Sequence, residues 1–431
     1  MQEIKQEPKS KQSQSAQNQS TQSQTTKVST AQEAFFGLPS EVKFCTRCVM
    51  SNQRPKAKRS EFHHTNESKT ETIDFDEEGV CAACRYTERK NNDIDWKARE
   101  QELIELCNKY RKTDGSYDCI VSGSGGKDST MTSHMLKYKY GMHPLTVTWA
   151  PHMYTEIGWK NFQSWIHSGF DNVLFHPNGK VHRLLTKLAF ENLLHPFQPF
   201  ILGQKNLAPK MAARFNIPLI FYGEPGIEYG DPANKTGKTR TPEYHTGSDY
   251  MSMHLGGTSV KDLIEKHGVE LADLKAYLPI DPKEYADKDI IVHYLGYYIR
   301  WDPQEAYYYA AEHTDFQANN ERTEGSYSKY SSIDDKSDPY HYYTTLIKFG
   351  IARATYDAAQ EIRNGKITRE EGVALVKKFD SEFPKKYFRE FLEYMGITEE
   401  QFFKTVDKFR SPHLWKKENG EWKLKNTVYS E

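Results

Sequence analysis

The chain has 431 residues, with 58 Lys and Arg against 59 Asp and Glu and a formal net charge of −1. That length accommodates two or three domains including a full α/β core, and the balanced charge gives no overall preference for a polyanion such as DNA or tRNA. No apolar run approaches the ~18 residues of a membrane span and the N-terminus lacks the hydrophobic stretch of a secretion signal, so a cytoplasmic protein with no membrane or nucleic-acid partner is expected.

Residues 1 to about 33 are dominated by Gln, Ser, Lys and Thr. Too few apolar side chains are present to offset ordering entropy, so a disordered tail over 1–40 with no catalytic role is expected. Two knuckles follow in the segment 41–95, Cys45-Thr46-Arg47-Cys48 and Cys81-Ala82-Ala83-Cys84. Each short bite can set two thiolates on adjacent corners of a tetrahedron, which favours a Zn²⁺ ribbon ligated by Cys45, Cys48, Cys81 and Cys84. Two disulfides and an iron–sulfur cluster are the rival readings, the first disfavoured by a reducing cytosol, the second chemically open to thiolates. Four protein ligands leave no open position, so the ion reads as structural. His63 and His64, between the knuckles, read as solvated loop residues. Cys107, on an amphipathic helix with Leu103, Ile104 and Tyr110, and Cys119, in a core strand, read as buried fillers.

A helix over 95–112 precedes a turn at Asp114-Gly115-Ser116 and a buried strand, Asp118-Cys119-Ile120-Val121-Ser122. That strand runs into Ser124-Gly125-Gly126-Lys127-Asp128-Ser129 and then a helix carrying Met131, Met135 and Leu136, ending near Gly141. Adjacent glycines let backbone N–H groups reach an anion, serine hydroxyls add donors, and the helix N-terminus adds its positive end. The segment is not a Walker A loop, because Val121 and Asp128 hold the positions of the first Gly and the Ser/Thr, nor a dinucleotide turn, because Asp128 holds the third Gly position. A strand over 145–149, a helix over 156–168, a strand over 172–175, helices over 181–194 and 205–215 and a strand over 217–222 complete a repeating pattern. Such alternation predicts a parallel sheet covered on both faces, with ligands at the carboxyl ends of its strands. One of those ends is Gly223-Glu224-Pro225-Gly226-Ile227-Glu228, whose Glu224 and Glu228 could bind Mg²⁺, orient ammonia or a sugar hydroxyl, or form a solvated acidic turn.

Gly237-Lys238-Thr239 has Pro232 where Walker A needs its first Gly and reads as a surface loop. Beyond about residue 230 the pattern loosens, with a short strand over 290–292 and an aromatic stretch from Tyr294 to Tyr309 that reads as core packing, since no basic cluster interleaves it. The C-terminal third, 301–431, reads as helical, with capping boxes at Thr368/Glu371 and Thr398/Gln401 and a helix stop at Gly396.

The signature Ser-Gly-Gly-x-Asp-Ser resembles the PP-loop ATP pyrophosphatases, which implies an adenine-nucleotide α-hydrolase-like sheet over 96–300. It also implies that Ser122, Ser124, Gly125, Gly126, Lys127, Asp128 and Ser129 hold the pyrophosphate of ATP, with adenosine near the loop after Trp149. Together with Cys45-Thr46-Arg47-Cys48-Val49-Met50, the segments 73–84, 338–343, 347–355 and 367–372 are similar to the N-acetyl sugar amidotransferases of bacterial surface-glycan pathways, including those of pseudaminic, legionaminic and diacetamido-uronic sugars. The resemblance spans about residues 43–410, and the stretch 56–72 looks longer than the family's. It implies transfer of AMP to an acetamido oxygen and displacement by ammonia, with Lys127 offsetting charge, Asp128 capping the helix or holding Mg²⁺, and Zn²⁺ in the ribbon. The polar loop from Ser326 to Asp338 lies near the family-like segments and is a candidate for sugar recognition. No Met-Cys start and no nucleophile elbow around Cys107 or Cys119 is present, so ammonia is expected from a separate glutaminase subunit or from solution. A tRNA-modifying PP-loop enzyme and a non-enzymatic zinc-ribbon scaffold are the alternatives.

Overall fold

The computed structural model describes residues 33–56, 61–231 and 236–430. The expected tail therefore lies outside the described residues as far as position 32, as does Pro232. The last part of the segment assigned to that tail is packed: Phe36 stacks on Phe409, with ring centroids 5.8 Å apart, and Leu38 is buried.

Helices α1 (Ala82–Asn92), α2 (Trp96–Tyr110), α3 (Lys127–His134), α4 (Glu156–His167), α5 (Gly179–Leu193) and α6 (Gln198–Phe215) precede or alternate with five strands. These are β1 (Cys119–Ser122), β2 (Pro144–Trp149), β3 (Asn172–Phe175), β4 (Leu219–Tyr222) and β5 (Ile291–Tyr294). They form one all-parallel sheet in the order β3-β2-β1-β4-β5, Ile120 lying beside Leu145 on one side and Ile220 on the other. Because the order reverses between β1 and β4, the loops leaving those two strands flank the switch point where such sheets open a crevice.

The strand period of two divides the sheet residues between two cores. Ile120, Val147, Ile220 and Val292 pack with Leu185 of α5 and Leu202 of α6. Cys119, Val121, Leu219 and Phe221 face the other way, against Leu103 and Cys107 of α2 and Met131 of α3. Both faces are covered, which is why β1 reads as a near-continuous apolar run and why Thr146 and Thr148, which alternate with Leu145, Val147 and Trp149 in β2, are fully buried. Cys107 and Cys119 are fully buried fillers as expected, and burial raises both thiol pKa values, that of Cys107 to about 11.

Helix α6 begins at Gln198, seven residues before the expected start at Lys205, with Pro199 in its first turn, where proline's missing N–H costs nothing. Pro209 inside the helix withholds the N–H that would reach the Lys205 carbonyl. His245 replaces it, its Nδ1–H donating to that carbonyl at 3.1 Å.

The C-terminal region adds α7 (Pro303–Thr314), α8 (Asp338–Phe349), α9 (Arg353–Arg363), α10 (Arg369–Phe379), α11 (Phe388–Met395) and α12 (Glu399–Lys408). Both expected capping boxes are formed, and Gly396 ends α11 in the left-handed region. The region is not wholly helical: Trp415–Glu418 pairs antiparallel with Glu421–Leu424. The intervening Asn419-Gly420, with φ of 52° and 86°, is the dipeptide that favours a two-residue hairpin turn. Tyr294, Tyr298 and Trp301 are buried, as expected for core packing. Among the described residues, no helix is long and apolar enough to cross a membrane.

Candidate active site and metal centre

The loop after β1 is built around two glycines with no room for a side chain. A Cβ on Gly123 would lie 2.0 Å from that of Ser129, and one on Gly125, at φ +84°, would lie 2.7 Å from the Phe162 Cα of α4. Gly126 is the N-cap of α3, so the first free N–H groups of the helix open beside the loop, where an anion is favoured. The Ser129 hydroxyl turns back to the Gly126 carbonyl at 3.1 Å. Lys127 Nζ meets Asp128 Oδ2 at 2.6 Å, while among the described residues Asp128 Oδ1 is buried without a hydrogen-bond partner.

The loop forms one wall of a cleft of about 430 Å³ at the carboxyl ends of β1 and β4. Ser124, Gly125, Gly126, Lys127 and Asp128 line it; Ser122, buried at the end of β1, and Ser129, inside α3, do not. Glu224 enters from the loop after β4, and the far wall comes from Asp334, Asp338 of α8 and Arg353 of α9. Burial, then the neighbouring Asp128 carboxylate, pushes the Glu224 pKa upward against the pull of Lys127, and the Tyr229 hydroxyl donates to Glu224 at 2.5 Å. Burial raises Asp338 to about 7 even though Arg353 favours its charged form. Burial also raises Asp334, opposed by the Ser124 hydroxyl. Carboxyl groups with raised pKa values facing a phosphate-type loop are suited to holding a cation or exchanging protons near neutral pH.

Glu228, paired with Glu224 in the sequence reading, is elsewhere. Its carboxylate is buried against Lys90 of α1, with Nζ at 2.8 and 3.0 Å from its oxygens. That ion pair ties α1 to the turn after β4, and the geometry removes Glu228 from the cleft. The loop after Trp149 likewise contributes no cleft-lining side chain. His152 turns inward, its backbone N–H and ring Nδ1 on Asp335 at 2.7 and 3.0 Å, and Thr155 N–H donates to the Asp334 carbonyl at 3.2 Å. This loop therefore anchors the segment that carries Asp334, while Asn161 of α4 reaches the cleft in its place.

The polar loop from Ser326 to Asp338 does line the cleft, through Tyr330, Ser331, Ser332, Ile333, Asp334 and Asp338. Sequence reading did not single out Asp334, Asp338, Arg353 or Arg54 individually. Their clustering with β1 and β4 arises from contacts across some two hundred residues of chain, and only the polar character of the loop signalled two of them.

The four knuckle cysteines converge. Their sulfurs all lie within 4.8 Å of one another, with Cys45 to Cys84 and Cys48 to Cys81 each at 3.8 Å. A tetrahedral ion with metal–sulfur bonds of about 2.3 Å sets its ligands about 3.8 Å apart, so the donor set fits one four-coordinate metal ion. A cluster of several irons carries its thiolates on separate metal atoms and spreads them outward, which this geometry does not do. Backbone N–H groups of Cys81 and Met50 point at Cys45 Sγ and Cys48 Sγ at 3.3 and 3.5 Å, supporting thiolate charge. His63 is exposed and His64 half-buried, and neither belongs to the sulfur group. Arg369 of α10 donates to the Cys48 and Cys45 carbonyls at 3.3 and 3.4 Å, fastening the knuckles to the C-terminal helices.

Comparison with known proteins adds three findings. Residues 324–429, well under half of the chain, match the family described as LPS biosynthesis protein WbpG-like, C-terminal domain. A stretch of 84 residues is 31% identical to the uncharacterized protein MJ1599 of Methanocaldococcus jannaschii, covering 20% of this chain and 29% of that protein. The match thus spans less than a third of the relative's length. The U34-tRNA thiolase NcsA from Methanococcus maripaludis, solved with its [4Fe-4S] cluster, aligns over 72% of this chain and 86% of its own at 10% identity and a TM-score of 0.26, too loose a superposition to support any inference. The WbpG-like segment supplies Asp334, Asp338, Tyr342 and Arg353 to the cleft.

Proposed function

We propose that this chain is an ATP-dependent N-acetyl sugar amidotransferase of bacterial surface-glycan biosynthesis, converting an acetamido group to an acetamidino group with release of AMP and pyrophosphate. One observation carries the reading: the Ser-Gly-Gly-Lys-Asp-Ser loop and the WbpG-like C-terminal segment face each other across a single cleft. A phosphate loop alone is compatible with many reactions. Its pairing with a segment similar to lipopolysaccharide-biosynthesis proteins supports reading the acceptor as a sugar.

The chemistry explains why a nucleotide is needed. An acetamide carbonyl is a poor electrophile, and hydroxide is a poor leaving group at neutral pH. Transfer of AMP to the carbonyl oxygen, with loss of pyrophosphate, gives an imidate whose leaving group is a stabilised phosphate. Ammonia then adds at carbon, AMP departs with the oxygen, and one proton is lost to leave the amidine. In this scheme Ser124, the amides of Gly125 and Gly126 and the N-terminus of α3 bind pyrophosphate, and Lys127 offsets its growing charge. Asp128 and Glu224 are the oxygen donors suited to Mg²⁺, which would neutralise phosphate charge. Asp338, which lines the cleft with a pKa raised to about 7, would take up the proton released by the ammonia adduct.

The four-cysteine site suits Zn²⁺, whose role would be structural because the protein supplies all four ligands. Ammonia would come from a separate glutaminase subunit, and an ATP-consuming step of this kind belongs in the cytoplasm. Incubation with MgATP, ammonium and a panel of N-acetylated sugars, read by chromatography of nucleotides and mass spectrometry of sugars, tests the proposal. A product lighter by about one mass unit, O replaced by NH, is expected together with AMP. ADP with orthophosphate would refute it, and hydrolysis of glutamine by the isolated chain would refute the separate subunit.

A further inference from the structure

A second, much smaller cavity of about 20 Å³ lies where the start of α7 meets the C-terminal half of α9. Tyr330, Ser331, Asp357 and Gln360 line both this chamber and the cleft, so one layer of side chains separates the two spaces. The other side of the chamber is bounded by Gln304, Asn364 and Lys366, which are half-buried and line no part of the cleft. The chamber therefore has a rim of its own on the α7–α9 surface.

Size and chemistry select what can enter. One water needs about 10–15 Å³ of such space, so the chamber holds a single molecule of that size and excludes a nucleotide or a sugar, for which the cleft has room. Its lining is rich in acceptors, the carboxylates of Asp302, Asp357 and Glu361. Asp302 is 2% exposed and uses Oδ1 to cap α7, accepting from Gln304 and Glu305 N–H at 2.9 and 3.3 Å. Among the described residues its buried Oδ2 accepts no hydrogen bond, and Lys366 Nζ stands 3.3 Å away. That ammonium also meets Glu305 at 2.8 Å, so the rim already cradles one primary ammonium group. The Glu361 oxygens lie 2.7 and 3.5 Å from the Tyr327 and Tyr330 hydroxyls, and among the described residues no cation pairs with this carboxyl. Burial raises its pKa against the Tyr327 hydrogen bond, and Asp357 adds to the rise. Ionised carboxylates only accept hydrogen bonds, and buried ones call for a cation. A cation the size of water, with N–H donors on every side, meets both demands.

We propose that this chamber is a port for ammonium, which enters from the α7–α9 surface, is held at Asp302 and Glu361, and reaches the cleft as ammonia past Tyr330 and Ser331. The proposal rests on the ammonia-dependent reaction given above and goes beyond it, because the nitrogen donor then enters apart from ATP and the acceptor. One N–H proton moves to the Glu361 carboxylate, giving a carboxylic acid and neutral NH₃ whose lone pair is free to attack. Two experiments test it. In the first, crystals of the full metal-loaded chain are soaked in thallium(I), which matches ammonium in charge and approximates it in size. An anomalous peak between Asp302 and Glu361 is expected, displaced by ammonium chloride and absent from E361Q. A chamber that holds only water, or a peak that ammonium does not displace, overturns the proposal. In the second, the KM for ammonium is measured with the acceptor that forms AMP in the turnover assay. E361Q should raise it at least about tenfold, the scale of a hydrogen bond to a charged group, and Q304W, which crowds the rim, should raise it as well. The KM for ATP should change by less than about twofold in both. AMP formation with an unchanged ammonium KM in both variants refutes the port alone, whereas ADP with orthophosphate refutes the reaction and leaves the thallium result standing. Thermal melting of each variant confirms that the fold is retained.

Discussion

Glu224 and Glu228 lie four residues apart on the turn that follows β4, and they end in opposite circumstances. Glu228 is sealed against Lys90 in the region that joins the metal knuckles to the sheet, its charge answered by an ammonium 2.8 Å away. Glu224 faces the cleft, where Asp128 repels it and burial raises its pKa. The first region is closed, four sulfurs converging on one point and a buried ion pair satisfied within the protein. The second is open: among the described residues Asp128 Oδ1 has no hydrogen-bond partner. Closed donors hold the fold and open donors await ligands, so the same residue types should give stability effects in one region and activity effects in the other.

The sharpest way to break this contrast is to empty the metal site. Removing the ion with a strong chelator, or substituting Cys45→Ser, is expected to cost several kcal/mol and unfold the knuckle segment, since structural metal binding is folding free energy. Circular dichroism and metal analysis of the purified chain check this, with one ion per chain expected. Next in size, Lys90→Ala leaves Glu228 buried and uncompensated, and urea denaturation should show a loss of about 3–5 kcal/mol. Asp128→Ala should do the reverse, leaving the unfolding midpoint nearly unchanged while AMP formation falls by about 10²-fold or more. A large stability loss in that variant would mean that the two regions are not separable.

The smallest effect concerns pH. Asp338 has a folded pKa raised to about 7 above an unfolded value near 3.9. Below pH 4 both states are protonated and the group contributes nothing; between pH 4 and 7 the folded state alone keeps the proton, so stability falls as pH rises and the penalty is complete above 7. Asp338→Asn should therefore stabilise the chain at pH 8 relative to wild type but not at pH 4. The gain should be about 1–2 kcal/mol, because the half-buried carboxyl is partly screened by solvent. Paired denaturation curves at the two pH values decide it.

Much of this architecture was legible from local pattern. Apolar runs of four to six residues alternating with helical periodicity specified a covered parallel sheet, and Gly125 and Gly126 at a strand-to-helix junction marked the tight turn from β1 into α3. The capping pairs Thr368/Glu371 and Thr398/Gln401 marked helix starts, and the two Cys-x-x-Cys bites specified a metal site. Each of these signals acts over a few residues, where backbone sterics and ligand bite angles leave few alternatives.

What the sequence could not decide was which polar groups meet across the fold. Glu224 and Glu228 look alike on the page, and only the docking of α1 against the turn after β4, which brings Lys90 to one and not the other, separates a structural carboxylate from one open to chemistry. Arg54, Asp334, Asp338 and Arg353 come together for the same reason. Their positions depend on how the knuckles and C-terminal helices pack around the sheet edge, and packing between segments hundreds of residues apart leaves no periodic trace in either segment.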